Sequence, residues 1–164
     1  MTIYRYRREL AQPLAETPVY PYLLRTFRSR ADVPLVHALM QEAYAARGVS
    51  LDACDAWWHR LCTDPEFDAR LMFLVETPIG TLAAAGIAWS TGVVRELVVA
   101  PGYRRQGLGK AVLVQMCRTF AQQGAHAVNL QVEADNGAAI ALYETLGMRR
   151  MEAVPASGAS AVAF

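Results

Sequence analysis

Cysteine is scarce in this sequence, and no two cysteines are closely spaced. The chain has 164 residues and three cysteines, Cys54, Cys62 and Cys117, with no C-x-x-C pair among them. A structural zinc site needs paired ligand clusters, and a disulfide framework usually needs an even number of cysteines. The sequence therefore argues against a metal site and predicts three reduced thiols, as expected of a cytoplasmic protein.

Long apolar runs and an excess of charge of either sign are also missing. No stretch approaches the roughly 18 apolar residues of a membrane span, and "MTIYRYRREL" lacks the apolar core of a signal peptide. The formal net charge is +1, so no general attraction to nucleic acid or to a membrane is expected. We therefore expect a cytoplasmic protein without nucleic-acid or membrane partners.

The composition suits one globular domain with a sizeable core. The chain is 54% hydrophobic and 19% charged, which is typical of a compact protein. Residues 1–22 contain three prolines and no helical period, which predicts a loosely attached N-terminal arm. The alternation in "IYRYRR" could instead add an edge strand or contact a partner. The domain itself is predicted to occupy residues 23–164.

The order of predicted elements changes midway along the chain. "YLLRTFRS" is predicted to be a strand, and two helices follow it, the second in "LDACDAWWHRLC". The strands "ARLMFLVE", "TLAAAGIAWS" and "VVRELVVA" are joined by short turns, which predicts an antiparallel meander. A long helix, the strand "AVNLQVE" and a short helix capped by Asp135 or Asn136 come next. "MRRMEAV" and "SAVAF" could be closing strands.

A basic, glycine-rich loop, "APGYRRQGLGKAVL", joins the meander to the long helix. The first turn of a helix leaves backbone N–H groups unpaired and carries partial positive charge. Gly107 and Gly109 lack a Cβ, so an anion can approach the backbone closely. Arg104, Arg105 and Lys110 add full positive charges. These features predict a phosphate-binding loop rather than glycines placed for packing alone.

Two common phosphate loops fit this segment poorly. A nucleotide P-loop needs a lysine where this chain has Leu108. A dinucleotide site needs a third glycine where this chain has Val112, although Glu133 lies at a suitable distance for a ribose-binding acid. With 31 residues after Glu133, too little chain follows for a six-stranded doubly wound sheet. A dinucleotide-binding protein remains the weaker alternative.

Two motifs together fit a third kind of loop. "RRQGLG" at residues 104–109 matches R/Q-x-x-G-x-G/A, and "NGAAIALYETLGM" at residues 136–148 is similar to N-x-x-A-x-x-L-Y-E-x-x-G-F. Met148 replaces the usual aromatic residue. On these motifs the sequence resembles the GNAT family, the Gcn5-related N-acetyltransferases. The resemblance covers about residues 22–164 and is strongest over residues 94–148.

The resemblance implies a fold and a cofactor. The fold class would be α/β (α+β), with a single GNAT-like domain, a mixed and mostly antiparallel central sheet, helices on both faces, and a splay between the two central strands. The implied cofactor is acetyl-CoA as acyl donor, with its pantetheine arm in the splay. The residues implied to bind it are Leu97, Val98 and Val99 through their backbone, the loop residues Arg104, Arg105, Gln106, Gly107, Leu108, Gly109 and Lys110, and Asn136 and Tyr143.

The transfer needs groups that move protons. A primary amine with a pKa of about 10.4 must lose a proton before it can attack, and a thiolate with a pKa of about 8.5 leaves more easily when protonated. The motif implies Tyr143 as the acid. Glu96 is the candidate base, because apolar neighbours can raise its pKa. The Val99 N–H could stabilise the developing negative charge. Gln131 stands where related enzymes that modify protein N-termini often carry a glutamate, which argues against a close copy of those enzymes.

The acceptor is predicted only as a class. In the family, the first two helices usually recognise it, and here Tyr44, Trp57 and Trp58 could line a pocket or pack in the core. Asp52 and Asp55 could attract a cationic amine, although Asp52 also suits a helix cap. The resemblance implies an acetyl-CoA-dependent N-acetyltransferase that acts directly on a small-molecule or peptide amine and could form a homodimer. A non-catalytic acyl-CoA-binding domain is the alternative from another class.

Overall fold

The computed structural model describes residues 1–152 and 154–155, so the predicted strand "SAVAF" lies outside the described residues. The remaining predicted strands and helices are present, some with shorter bounds than the sequence suggested. In chain order they are β1 (Thr2–Glu9), β2 (Leu23–Thr26), α1 (Asp32–Ala45), α2 (Cys54–Thr63), β3 (Phe67–Glu76), β4 (Leu82–Trp89), β5 (Val94–Val99), α3 (Leu108–Gln122), β6 (Ala127–Glu133), α4 (Gly137–Thr145), β7 (Arg149–Arg150) and β8 (Val154–Pro155).

The predicted meander is confirmed and forms the first of two sheets. This sheet has the order β2-β3-β4-β5 with antiparallel pairs throughout. The second sheet has the order β6-β1-β7, with β8 paired to β1. Within the described residues the two sheets are joined by one parallel bridge, Val93 with Asn129, whose N–H donates to Gly92 O at 2.9 Å. Beyond that bridge β5 and β6 diverge, which is the expected splay.

The N-terminal segment corrects one expectation. β1 pairs with β6 from Ile3 opposite Glu133 to Glu9 opposite Ala127, and β7 pairs with its other edge. Thr2–Glu9 is therefore an inner strand, and both the loosely attached arm and the edge strand were wrong interpretations of it. The three prolines that suggested a loose arm all lie after this strand. Arg8 is in fact buried, because its guanidinium donates to Leu146 O at 2.8 Å.

Helices cover both faces of the paired sheets, and β5 contributes to both cores. Leu97 and Val99 belong to the core cluster under α3 and α4. Val98 belongs to the cluster under α1 and α2. This alternation follows from the two-residue period of a strand. α3 lies so close to β4 that a Cβ on Gly86 would come within 2.7 Å of Val112 Cγ1, which explains the glycine there.

A buried ion-pair network fixes the start of α1 against the first sheet. Arg25 on β2 donates from both terminal nitrogens to the Asp32 carboxylate, at 2.9 and 2.8 Å, and from Nε to Glu76 at 2.5 Å. The side chains of Arg25 and Asp32 are 10% and 7% exposed. The hydrogen bonds from Arg25 lower the pKa of the Asp32 carboxyl, although burial opposes them. The network thus connects β2, β3 and α1.

Replacing Asp32 by asparagine should lower the free energy of unfolding by about 2–4 kcal/mol at pH 7, because it leaves the buried guanidinium without its paired charge. A carboxyl with a lowered pKa in the folded state stabilises the protein above its unfolded pKa of about 3.9. This contribution is lost as the pH falls through the lower folded pKa. The difference in free energy of unfolding between wild type and the Asp32→Asn variant should therefore become smaller in acid. Urea unfolding at several pH values measures it.

Asp68→Asn is the matched control for this prediction. Asp68 also pairs with an arginine, but the side chain of Arg70 is 89% exposed. Exposed pairs contribute about 0–1 kcal/mol. Equal losses in the two variants would contradict a stabilising role for the buried network.

Candidate active site

The predicted phosphate loop ends in a helix N-terminus with unused donors. α3 begins directly after Gly107, which has φ 76°, and Arg105 before it has φ 61°. Such left-handed residues turn successive N–H groups toward one side of a loop. Among the described residues, the N–H groups of Leu108, Gly109 and Lys110 donate to no protein acceptor. The segment therefore offers backbone donors to an anion, and phosphate binding there stays a prediction.

The loop side chains are mostly free to meet solvent or ligand. Arg104, Arg105 and Lys110 are exposed. Arg104 also donates from Nε to Val99 O at 3.3 Å, which holds the loop against the end of β5. Tyr22 donates to Gln106 Oε1 at 2.7 Å. The cations thus surround the helix N-terminus, where they would add to its positive field.

The gap between β5 and β6 presents backbone groups from alternate residues of β5. Ala100 N–H donates to β4 at Ala83 O, 2.8 Å away. Because backbone direction alternates along an antiparallel strand, Val98 also faces β4, whereas Leu97 and Val99 face the gap. This agrees with the bond that Val99 O accepts from the loop. The prediction that Val98 binds a cofactor through its backbone is not supported, because its pairing with Ala85 uses that edge.

Tyr143 lies on the α3 and α4 side of the gap. Its side chain is 0% exposed and belongs to the same core cluster as Leu97 and Val99. Burial raises the pKa of its phenol above the usual value near 10, so the group stays protonated at neutral pH. The ring contacts Tyr6 of β1 with centroids 5.9 Å apart. The position of Tyr143 beside the gap and its protonated phenol both suit a proton donor.

Asn136 is the N-cap of α4, and it thereby sets the start of the helix that carries Tyr143. Its Oδ1 accepts from the Ala139 N–H at 3.2 Å. The sequence had proposed either Asp135 or Asn136 for this cap, and Asn136 is the residue used. The role of Asn136 toward the cofactor stays a prediction.

Glu96 lies on the opposite side of the gap, under α1. Its Oε2 accepts from the Tyr44 hydroxyl at 2.6 Å. Burial raises the pKa of the Glu96 carboxyl, and the hydrogen bond from Tyr44 and the charges of Arg95 and Arg47 partly oppose that shift. A carboxylate with a raised pKa is a better proton acceptor than an exposed one. The structure thus separates the candidate base from the candidate acid across the sheet.

A β-bulge places a second charged group beside Glu96. The register of β5 on β4 shifts between Glu96 opposite Ile87 and Val94 opposite Ala88, so Arg95 is the extra residue. A bulge re-aims a side chain that regular alternation would send to the other face. Arg95 Nη1 consequently lies 3.6 Å from Glu96 Oε1. Both side chains line one cleft.

That cleft has a volume of about 510 Å³ and lies between the two N-terminal helices and the meander. Its walls are largely aromatic and aliphatic, and its charged groups come from α2, the segment after it and β5. Gln131 of β6 lines its far end, so the cleft reaches the gap between the sheets. The lining residues are Tyr44, Leu51, Trp57, Arg60, Leu61, Asp64, Ile87, Trp89, Val93, Val94, Arg95, Glu96 and Gln131.

The expected acceptor residues divide between the cleft and the core. Trp57 lines the cleft together with Tyr44, whereas Trp58 stacks on Phe27 with centroids 5.3 Å apart. Asp52 pairs with Arg60 at the surface. The expectation that Asp52 caps α2 was wrong, because the cap is Ala53 and receives no side-chain bond.

Two arginines of this site were missed by the sequence analysis. Arg95 interrupts an apolar strand next to Glu96, and that adjacent charge pair was a usable signal. Arg47, just past α1, forms an ion pair with Glu133 of β6, which links the two sides of the gap. Nothing local in the sequence announces this pair, since 86 positions separate its members.

Two negative findings concern the part of the chain that the structure describes. It contains no group of three or more histidine, cysteine or acidic side chains that could hold a metal ion. None of its helices combines the length and the apolar character that crossing a membrane requires.

Comparison with known proteins identifies relatives over most of the chain. Residues 33–148 match the model of the acetyltransferase (GNAT) family. The chain is 31% identical to the [ribosomal protein bS18]-alanine N-acetyltransferase of Escherichia coli over 71% of this chain and 74% of that protein. It is 32% identical to the mycothiol acetyltransferase of Salinispora tropica over 92% of this chain and 52% of that protein.

The fold is also found among solved structures. A GCN5-related N-acetyltransferase from Sphaerobacter thermophilus superimposes with a TM-score of 0.80 at 21% identity, over 93% of this chain and 49% of that one. The chain therefore spans about half the length of this structure and of the Salinispora relative. The α/β fold class and the resemblance predicted from the two motifs are both confirmed. On the extent of the family match, the chain belongs to the acetyltransferase (GNAT) family of N-acyltransferases.

Proposed function

We propose that this chain is an acetyl-CoA-dependent N-acetyltransferase that moves an acetyl group directly to a primary amine. The observation that supports this most strongly is the gap between β5 and β6, which has Tyr143 on one side and Glu96 on the other. A cofactor arm in the gap could thus be approached from one face by a proton donor and from the other by an amine.

The residues present fit acetyl-CoA. The unused N–H groups at the start of α3 suit its diphosphate, and exposed Arg104, Arg105 and Lys110 add charge around them. Leu97 and Val99 present backbone groups along the gap, where an extended pantetheine arm could pair like an added strand. Acetyl-CoA would supply the thioester carbonyl that an amine attacks.

Each proton has a candidate carrier in this arrangement. Glu96 accepts a proton from the incoming ammonium, directly or through water, which frees the nitrogen lone pair. The Val99 N–H faces the gap and stabilises negative charge that develops on the carbonyl oxygen. Tyr143 donates its proton to the departing sulfur. The nitrogen loses its second proton as the sulfur departs, and this proton passes through water to the Tyr143 phenolate. Only Glu96 then ends protonated, and it releases its proton to solvent.

Transfer without a covalent enzyme intermediate is supported by the state of the cysteines. Burial raises the pKa of the Cys117 thiol to about 11, and burial also raises the pKa of Cys62. The nucleophile would be the thiolate, which is scarce at neutral pH when the pKa is raised. Neither Cys117 nor Cys62 is therefore activated as a nucleophile, which favours direct attack by the amine.

Acetyl-CoA should stabilise the protein against heat. At a concentration near 100 times its dissociation constant, we expect a rise in Tm of about 5–10 °C. NAD at the same concentration should give no shift, because the loop lacks the third glycine of a dinucleotide site. A shift with NAD and none with acetyl-CoA would contradict the proposal and favour the dinucleotide alternative.

Release of free thiol in the presence of amines tests the chemistry. A panel of small amines and short peptides, incubated with acetyl-CoA, should include acceptors that yield free CoA. Binding of acetyl-CoA without thiol release from any amine would instead favour a non-catalytic acyl-CoA-binding domain.

A further inference from the structure

The guanidinium of Arg95 has an unmet hydrogen-bonding need inside the cleft. Its Nη1 is buried and makes no hydrogen bond within the described residues. The nearest anion is Glu96 Oε1 at 3.6 Å, beyond hydrogen-bond range for a direct N–H donor. The guanidinium carbon lies 5.9 Å from the centre of the Trp89 ring, which limits where the group can move. A buried donor of this kind is costly unless a ligand supplies an acceptor.

Two other arginines near the cleft, Arg60 and Arg47, are already paired. Arg60 forms an ion pair with Asp52, and Arg47 forms one with Glu133. Arg95 differs from both, because its side chain is 34% exposed, lines the cleft and donates no hydrogen bond within the described residues. It is therefore the guanidinium in this part of the structure best placed to receive a ligand oxygen.

The short separation of Arg95 and Glu96 limits the shape of the ligand. If Glu96 takes the proton of the acceptor amine, as the proposed function requires, an oxygen for Arg95 must lie within a few ångströms of that nitrogen. In an α-aminoacyl group, bond lengths place the nitrogen and the carbonyl oxygen about 2.7–3.6 Å apart. This matches the 3.6 Å between Arg95 Nη1 and Glu96 Oε1. An amine at the end of a long alkyl chain offers no such oxygen.

The cleft walls indicate what the acceptor carries beyond its α-carbon. Leu51, Trp57, Leu61 and Trp89 present apolar and aromatic surface, and the volume is about 510 Å³. Burying apolar surface against these four side chains is favourable. Arg60, Asp64 and Gln131 also line the cleft and provide its polar part.

We propose, on the basis of the proposed function, that the acceptor is an α-aminoacyl amine with a large apolar side chain, and that Arg95 binds the oxygen on the carbon next to the amine-bearing carbon. The oxygen belongs either to a free carboxylate, as in an amino acid, or to an amide carbonyl, as at a peptide N-terminus. Arg95 is thus a residue that determines specificity.

Three acceptors that share one side chain test this proposal. L-Phenylalanine offers a carboxylate, L-phenylalaninamide offers an amide carbonyl, and 2-phenylethylamine offers neither. The kcat/KM of wild type, per unprotonated amine, should be about 10- to 100-fold higher for at least one of the first two than for the third. Preference for the acid or for the amide tells the two sources of the oxygen apart.

Arg95→Gln should abolish that preference. The ratio of kcat/KM values between phenylalaninamide, or phenylalanine, and 2-phenylethylamine should fall toward one, mainly through a higher KM. Comparing ratios between variants cancels the intrinsic reactivity of each amine. Arg70→Gln is the control, because Arg70 is exposed and pairs with Asp68 away from the cleft, and it should keep the wild-type ratios. Arg95→Lys, which retains the charge but not the planar fork, serves as a second variant and should lose part of the preference.

Several results would overturn the proposal. One is an equal kcat/KM for all three amines in wild type, and another is an unchanged preference in the glutamine variant. A uniform loss with every amine, together with an unchanged acetyl-CoA thermal shift, would mean that Arg95 acts through Glu96 rather than on the acceptor. If wild type released no thiol with any amine, the proposed function itself would fail, which is a distinguishable outcome.

Discussion

Glu96→Gln should lower kcat by about 100- to 10,000-fold, the range expected for loss of a positioned general base. Glutamine keeps the shape of the side chain and can still accept the Tyr44 hydrogen bond, so the fold should be retained. KM for acetyl-CoA should change little, because Glu96 lies on the side of the gap away from the α3 N-terminus. Steady-state measurement of CoA release provides both constants. Glu42→Gln, an exposed change on the helix that carries Tyr44, is the matched control.

The pH dependence of the wild type should identify the same group. Glu96 must be ionised to accept a proton, and burial raises its pKa. kcat/KM should therefore fall as the pH drops through a value above the ordinary glutamate range near 4.3. Ionisation of the acceptor amine adds its own limb, but that limb moves when an amine of different pKa is used. The limb that stays in place belongs to the enzyme.

Tyr44→Phe tests this assignment further, because the structure predicts the direction in which the enzyme limb of the pH profile should move. The hydroxyl of Tyr44 donates to the Glu96 carboxylate and lowers its pKa. Without this bond the pKa of Glu96 rises further, so the enzyme limb should move to higher pH. A limb that stays in place, or moves down, would exclude Glu96 as the titrating base.

Tyr143→Phe is the second change with a large expected effect. Without a proton donor the thiolate must leave as an anion, and kcat should fall by about 100-fold or more. Binding of acetyl-CoA should persist, since the backbone donors of the loop and of β5 are untouched. Because burial raises the pKa of Tyr143, the wild type should show no decline in rate from its ionisation below about pH 10.

Tyr6→Phe is the control for the tyrosine prediction. Tyr6 contacts the Tyr143 ring and donates to Glu144 Oε1 at 2.9 Å. Its hydroxyl is thus engaged with α4 rather than aimed at the gap. Tyr6→Phe should cost stability and leave kcat close to wild type. A similar loss of kcat in both variants would indicate that the position of α4, rather than the Tyr143 proton, limits the reaction.

The site was partly predictable because much of it is local in sequence. The glycines, the cations and the helix after them lie within one short segment, so their chemistry could be recognised without coordinates. Glu96 could be singled out as the carboxylate in an apolar strand. The charge of Arg95 next to Glu96 was a usable signal for its presence, but simple alternation assigns its side chain to the opposite face, and only the bulge in β5 brings it beside Glu96.

The sequence by itself determined most of the elements, the meander and the basic, glycine-rich loop before α3, since periodicity, short turns and glycine conformations act between near neighbours. Tertiary structure decided the rest. The insertion of β1 between β6 and β7 depends on pairing between residues more than a hundred positions apart. Tertiary structure also decided on which side of the gap Glu96 and Tyr143 lie, because the packing of α1 and α4 against the sheets sets these positions. Long-range pairing is selected by the burial and hydrogen bonding of the whole chain, which no local pattern encodes.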